Sequence, residues 1–206
     1  MLHQIWIGDI YPERFRVWSE RLRQLHPYWD YQLWSFDDLR AENLTNWELI
    51  ADAHLWVESH RMGQFQSDIA RYELLTRYGG IYLDVDCEPL KPLDDLVGPD
   101  CWAGWEIEGQ YVGTSVIGGE PGGEFWDACT GQIAKLNIAD KRDEGEMTGP
   151  KFVTRMYEDV DSLTLYPEPY FYPYAHADLS GRDRPYSDLS YVAHHWNRRR
   201  TEESRW

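Results

Sequence analysis

Between Gln64 and Asp86 the chain passes from helix to turn to strand to paired acid with no residue to spare. Phe65, Ile69, Tyr72 and Leu75 (or Leu74) recur at helical spacing, which predicts a helix over Gln64–Tyr78 with one apolar stripe. Gly79-Gly80 stops it. Ile81-Tyr82-Leu83 is then short, apolar and bulky enough for a buried strand, and it runs directly into Asp84-Val85-Asp86. The elements before it have the same character. Leu2–Ile7 reads as a strand that opens the chain and is stopped by Gly8-Asp9. Pro12 opens a helix with Phe15, Trp18, Leu22 and Leu25 on one side, ended by His26-Pro27. Tyr31–Phe36 is a second strand. Leu39–Ser59 is mostly helical, with Thr45 as N-cap and Glu48 as its capping-box partner. Strand and helix in alternation predict an α/β fold whose first half is a mostly parallel sheet covered by helices.

The second half is less regular. Trp102–Ile107, Tyr111–Ile117, Leu163–Tyr166 and Tyr191–Ala193 read as strands, and Glu124–Leu136 and Lys151–Val160 as helices. Three prolines and three tyrosines make Pro167–Tyr174 a stiff loop. No repeat or linker divides the chain, and 206 residues suit a single domain spanning 1–206.

Composition narrows the function. Twenty Lys and Arg against 36 Asp and Glu leave a net charge of −16, which makes a nucleic-acid partner or acceptor unlikely because a phosphate-binding face needs clustered cations. It also disfavours a polybasic membrane anchor. The 11 Trp and 14 Tyr exceed what a core needs and suit a cleft that stacks on rings or sugars. Cys87, Cys101 and Cys129 are odd in number and form no CxxC pair, so free thiols in a reducing compartment are expected. With no signal peptide and no membrane span, the expected location is the cytoplasm.

The acidic pair carries the chemistry. In an extended chain alternate side chains share a face, so Asp84 and Asp86 are expected to point the same way, at the strand end where α/β sheets bind ligands. Two hard oxygen donors suit Mg²⁺ or Mn²⁺, ions that also take phosphate oxygens. Asp159-Val160-Asp161 is a built-in control: it repeats the pattern without a preceding apolar strand and reads as a solvated helix end.

The run Ser67-Asp68-Ile69-Ala70-Arg71-Tyr72-Glu73-Leu74-Leu75, followed by Tyr78-Gly79-Gly80-Ile81-Tyr82-Leu83-Asp84-Val85-Asp86, resembles the DxD region of glycosyltransferase family 32. That family includes initiating mannosyltransferases and shares its core with the clostridial glucosylating toxins. His3-Gln4-Ile5-Trp6-Ile7-Gly8, Thr148-Gly149-Pro150 and His194-His195-Trp196-Asn197 with Trp206 resemble its other marks, so the likeness runs from residue 3 to 206. The resemblance implies a single-domain GT-A fold with a Rossmann-like nucleotide-sugar-binding sheet, a divalent metal (Mn²⁺ or Mg²⁺), a nucleotide-sugar donor and transfer with retention. It further implies that Asp84, Asp86 and His194 hold the metal. Asp68, Arg71 and Asp86 become the catalytic set, Asp68 and Arg71 also meeting the donor sugar. Trp6 stacks on the base, and the Ile5 backbone reads the base edge. Thr148 lines the sugar pocket, or else caps the next helix, and Trp206 reaches a phosphate. His194 is favoured over His195 because the family's His precedes Trp by two. Thr114 and Ser115 stand where relatives often carry an amide, and Arg198-Arg199-Arg200 forms a basic tail.

A UDP-sugar is the favoured donor, with GDP-mannose as the other candidate. The acceptor is a glycan, a lipid-linked sugar or a protein hydroxyl. Two other functions compete: a metal-dependent phosphohydrolase, and a non-catalytic carbohydrate-binding protein that would need the aromatics but not the metal pair.

Overall fold

The computed structural model describes residues 1–178, 180–181 and 184–196. In chain order the elements are β1 (Leu2–Ile5), α1 (Glu13–Leu25), β2 (Tyr31–Trp34), α2 (Phe36–Ala41), α3 (Trp47–Ala51), α4 (Ala53–Trp56) and α5 (Met62–Tyr78). Then come β3 (Gly80–Leu83), β4 (Cys87–Pro89), β5 (Cys101–Ile107), β6 (Tyr111–Gly119), α6 (Glu124–Ile133), α7 (Glu144–Met147), α8 (Pro150–Asp159), β7 (Thr164–Tyr166) and β8 (Val192–His194). Six strands make one sheet in the order β2-β1-β3-β6-β5-β7, and β4 pairs with β8 in a separate ribbon. β2, β1 and β3 are mutually parallel, β6 runs against β3 and β5, and β7 is parallel to β5.

Alternation along the strands sends side chains into two cores, one on each face. Ile5, Tyr82, Ala103 and Ile117 join the helices α5, α6 and α8 in the larger one. Leu2, Ile81, Leu83, Trp102 and Val116 point the other way, to Leu22 of α1 and to Phe171 and Tyr172. The proline-rich segment expected as a loop is therefore structural: Phe171 and Tyr172 are buried beneath the sheet.

Gly79 and Gly80 sit at φ of 60° and 90°, backbone that a side chain rarely tolerates, and a Cβ on Gly80 would collide with the Met1 carbonyl. This close approach lets β3 turn straight off α5 and pair with β1. Below it His3 is wholly buried. Its Nε2 donates to the Gly79 carbonyl (2.9 Å), and its Nδ1 accepts from Trp34 Nε1 (3.1 Å). Both nitrogens are satisfied by a neutral ring, and burial pushes its pKa down to about 4 from 6.5. The unfolded chain binds this proton below 6.5 and the native state does not, so stability falls as pH drops from 6.5 towards 4. The loss from this one residue is about 3 kcal/mol. In urea titrations across that window, His3→Gln should show a shallower pH slope than wild type; equal slopes would contradict the assignment.

The expected long helical stretch after β2 is broken into α2, α3 and α4, followed by a 3₁₀ turn. The capping box lies at Ser35 and Asp38, not at Thr45 and Glu48. Thr45 instead offers its backbone N–H to the Glu73 carboxylate (2.6 Å), a partner 28 residues away that local spacing does not reveal. β1 ends at Ile5, two residues early. The strand before the acids ends at Leu83, as its apolar run implies, and beyond it Cys87 N–H closes a turn onto the Asp84 carbonyl (3.0 Å). Asp84 and Asp86 thus lie in a turn, and the alternation expected of an extended chain does not apply to them.

Candidate active site

Parallel pairing of His3 with Tyr82 brings the ends of β1 and β3 side by side, and Gln4 Nε2 reaches the Asp84 carbonyl (3.4 Å). Beneath this edge runs α5. Asp68 and Arg71 are one turn apart on it and both are buried, with side chains 2% and 3% exposed. Arg71 Nη2 lies 2.7 Å from Asp68 and 3.2 Å from Asp84. Its Nη1 donates to the Thr114 carbonyl (2.7 Å), its Nε donates to the Ser67 carbonyl (3.2 Å), and the guanidinium lies over the Tyr82 ring. One planar cation thus links two carboxylates and a strand of the sheet, a task for which a guanidinium is shaped. Burial pushes the Asp68 carboxyl up to about 7 against the pull of Arg71.

Thr148 is fully buried, and its hydroxyl donates to Asp68 (3.3 Å) while its carbonyl accepts from Tyr72 (2.6 Å). It does not cap α8, whose N-cap is Gly149. Gly149 follows it closely packed: a Cβ there would stand 3.0 Å from Gly145 Cα and 3.4 Å from Asp68 Oδ2. Threonine to hold the acid, glycine to fit against Gly145 and proline to open α8 give a physical reason for the Thr-Gly-Pro sequence.

Asp84 and Asp86 have different partners. Asp84 accepts from the Tyr82 hydroxyl (2.7 Å) and meets Arg71, while Asp86 faces His194 (3.3 Å). Ser115 binds this corner together: its carbonyl takes Asp84 N–H (2.8 Å), and its hydroxyl is 3.3 Å from the His194 ring nitrogens. Burial lowers the His194 pKa and Asp86 raises it; the carboxylate prevails and the net direction is up. His195 faces elsewhere. It stacks on Trp18 and joins Glu88 (3.0 Å) and Tyr174 (2.6 Å). Among the described residues, the group of donors drawn closest is Asp86, Cys87 and His194, whose ligand atoms lie within 4.8 Å of one another. A carboxylate beside an imidazole fits Mn²⁺, and Mg²⁺ less well.

Trp6 is half-buried just past β1, its backbone N–H bound to the Trp34 carbonyl and its ring edge-on to Tyr11 and Phe15. The Ile5 side chain is core, which leaves only its backbone to face the edge. Trp206 and Arg198–Arg200 lie outside the described residues. Asp159 and Asp161 are exposed at the end of α8, as expected of the second Asp-x-Asp. Two members of the corner escaped sequence reasoning. Glu106 on β5 hydrogen-bonds Trp196, and burial pushes its carboxyl up. Cys87, in sequence terms only one of three free thiols, is the other, and its signal is adjacency to the acidic pair.

Residues 12–102 match a family model described as a glycosyltransferase sugar-binding region containing a DXD motif. That stretch, a little under half of the chain, is similar to such a region. Inositol phosphoceramide mannosyltransferase 3 of Schizosaccharomyces pombe is 31% identical over 106 residues, which is 50% of this chain and 28% of that protein. The chain therefore spans less than a third of that relative's length. Among solved structures, the PaToxG glycosyltransferase is 15% identical with a TM-score of 0.60, over 78% of this chain and 68% of its own. The galactosyltransferase LgtC is 12% identical with a TM-score of 0.53, over 95% and 87%. The fold is thus that of the GT-A glycosyltransferases, a mixed α/β sheet between helices. No helix among the described residues is long and apolar enough to cross a membrane.

Proposed function

We propose that the protein is a metal-dependent, retaining glycosyltransferase that moves a hexose from a nucleoside-diphosphate sugar to a hydroxyl. The observation that carries this reading is the buried relay Asp68–Arg71–Asp84, which ends beside Asp86 and His194 at the strand edge. Asp86 and His194, with Asp84 behind them, would hold Mn²⁺ or Mg²⁺, which when bound neutralises charge on the departing diphosphate. Asp68, steadied by Arg71 and Thr148, keeps a lone pair on each oxygen for sugar hydroxyls. Arg71 offsets the charge of Asp68 and Asp84 and fixes their separation. Trp6 supplies a stacking face for the base. Asp68, Asp84 and Asp86 are each engaged, by Arg71 and Thr148, by Tyr82 and Arg71, and by His194, which favours front-face attack over a covalent intermediate, the acceptor's proton passing to a diphosphate oxygen. The fungal relative's name favours mannose, hence GDP-mannose, and a lipid-borne acceptor; a UDP-sugar with a glycan or protein acceptor is the other arm of the test.

Phosphohydrolases with an Asp-x-Asp nucleophile place it after their first strand. Here it follows β3, so phosphate release from simple phosphoesters is not expected.

Thermal unfolding with UDP or GDP, with and without Mn²⁺, tests the proposal. Saturation to about 100 times Kd adds about 2.7 kcal/mol, or about 5–10 °C for a chain of this size. One nucleotide should give that shift, and only with metal. GDP as that nucleotide assigns the mannose donor and UDP the alternative, to be followed by hydrolysis of the matching sugar nucleotide. No shift with either, or one indifferent to metal, overturns the proposal.

A further inference from the structure

The corner that holds Asp86 and His194 contains a sulfur with no evident task in sugar transfer. Cys87 and His194 are directly opposed in the β4–β8 ribbon, which puts their side chains on one face. The turn at residues 84–87 folds Asp86 towards the same imidazole. Cys87 is buried, and the contact its thiol makes is a long one to the Ser115 carbonyl (3.6 Å). The result is one carboxylate, one imidazole and one thiol, each a different kind of donor, within 4.8 Å of each other.

We propose that Cys87 is a third protein ligand, recruited by thiophilic ions such as Zn²⁺ and left out by Mn²⁺ or Mg²⁺, so that zinc closes the site and opposes transfer. This rests on the reading of Asp86 and His194 as metal ligands. Sulfur selects soft and borderline ions, whereas Mn²⁺ and Mg²⁺ prefer oxygen. On zinc binding the S–H bond breaks, an S–Zn bond forms, and the proton leaves to solvent. Zinc with three protein ligands is tetrahedral and keeps a single open position, whereas a six-coordinate ion on Asp86 and His194 keeps room for both phosphates of a donor. The chain supplies its own controls: Cys101 and Cys129 are buried in the other core, across the sheet.

Titration of the full chain with Co²⁺ tests this. Visible d–d bands report that the ion is bound by any ligands, and a near-ultraviolet sulfur-to-cobalt charge-transfer band reports thiolate ligation. We expect both, saturating together and abolished by Zn²⁺. Cys87→Ala and Cys87→Ser should lose the charge-transfer band and keep the d–d bands; Cys101→Ala should keep both. Zinc exceeds manganese in affinity at most sites, so the diagnostic quantity is the Zn²⁺/Mn²⁺ affinity ratio, which should fall at least about 10-fold in Cys87→Ala. The d–d bands without charge transfer in wild type overturn the role of Cys87 and leave the metal reading intact. No cobalt binding at all overturns both. The wild-type spectrum decides even if the variants misfold.

Discussion

Asp86→Asn is expected to lower sugar transfer by at least about 1,000-fold, the several kcal/mol a bound divalent ion contributes to stabilising developing charge. The same variant should lose Mn²⁺-dependent stabilisation by nucleotide. Its unfolding without ligand should change little, because Asp86 is partly exposed and lies in a turn rather than in either core. This separation of function from stability is the point of the experiment. Asp159→Asn, in the second Asp-x-Asp, should match wild type in both measurements, since that carboxylate is exposed at a helix end. A variant at Asp86 that keeps a tenth of wild-type activity would remove the metal from the account.

Arg71→Ala should act on both properties at once. It leaves Asp68 and Asp84 facing each other without their shared cation and the Thr114 carbonyl without its donor. Breaking a buried ion pair from one side costs about 3–5 kcal/mol, here a drop in Tm of about 6–20 °C. Arg71→Lys keeps the charge but cannot span both carboxylates and the carbonyl, so it should fold more stably than the alanine variant and still lose about 100-fold in kcat. Calorimetric unfolding and initial rates on the two variants check this. An alanine variant with unchanged Tm would mean that the network adds no stability to the fold, and a fully active lysine variant would mean that the fork is not needed.

How much of this was legible beforehand depended on range. The helix over residues 64–78, the Gly-Gly turn and the strand after it were readable because each rests on local spacing and backbone freedom. The irregular stretch between β2 and α5 was not. There Glu73, from another helix, takes the Thr45 backbone N–H, and no pattern within residues 39–59 encodes that partner. Of the β4–β8 ribbon, the last strand is legible at Tyr191–Ala193, but β4 is not, for the same reason: it is three residues long, ends in proline and pairs with a strand more than a hundred residues on. At the site, Asp68 and Arg71 were recognisable as a pair one turn apart, but surface ion pairs of that spacing are common and worth little. Their weight comes from burial, which only packing supplies.

The amino-acid order by itself determined the α/β alternation, the helix-to-strand turn that only glycines permit, and the presence of paired acid where β3 ends, because these follow from periodicity, sterics and residue chemistry over a few positions. Which acid meets which partner was decided by the tertiary structure. The turn at residues 84–87 divides the pair, giving Asp84 to Arg71 and Asp86 to His194, and it draws Cys87 into the same corner. Those contacts join residues far apart along the chain, and their strength depends on exclusion of water, a property of the packed molecule and not of any local stretch of it.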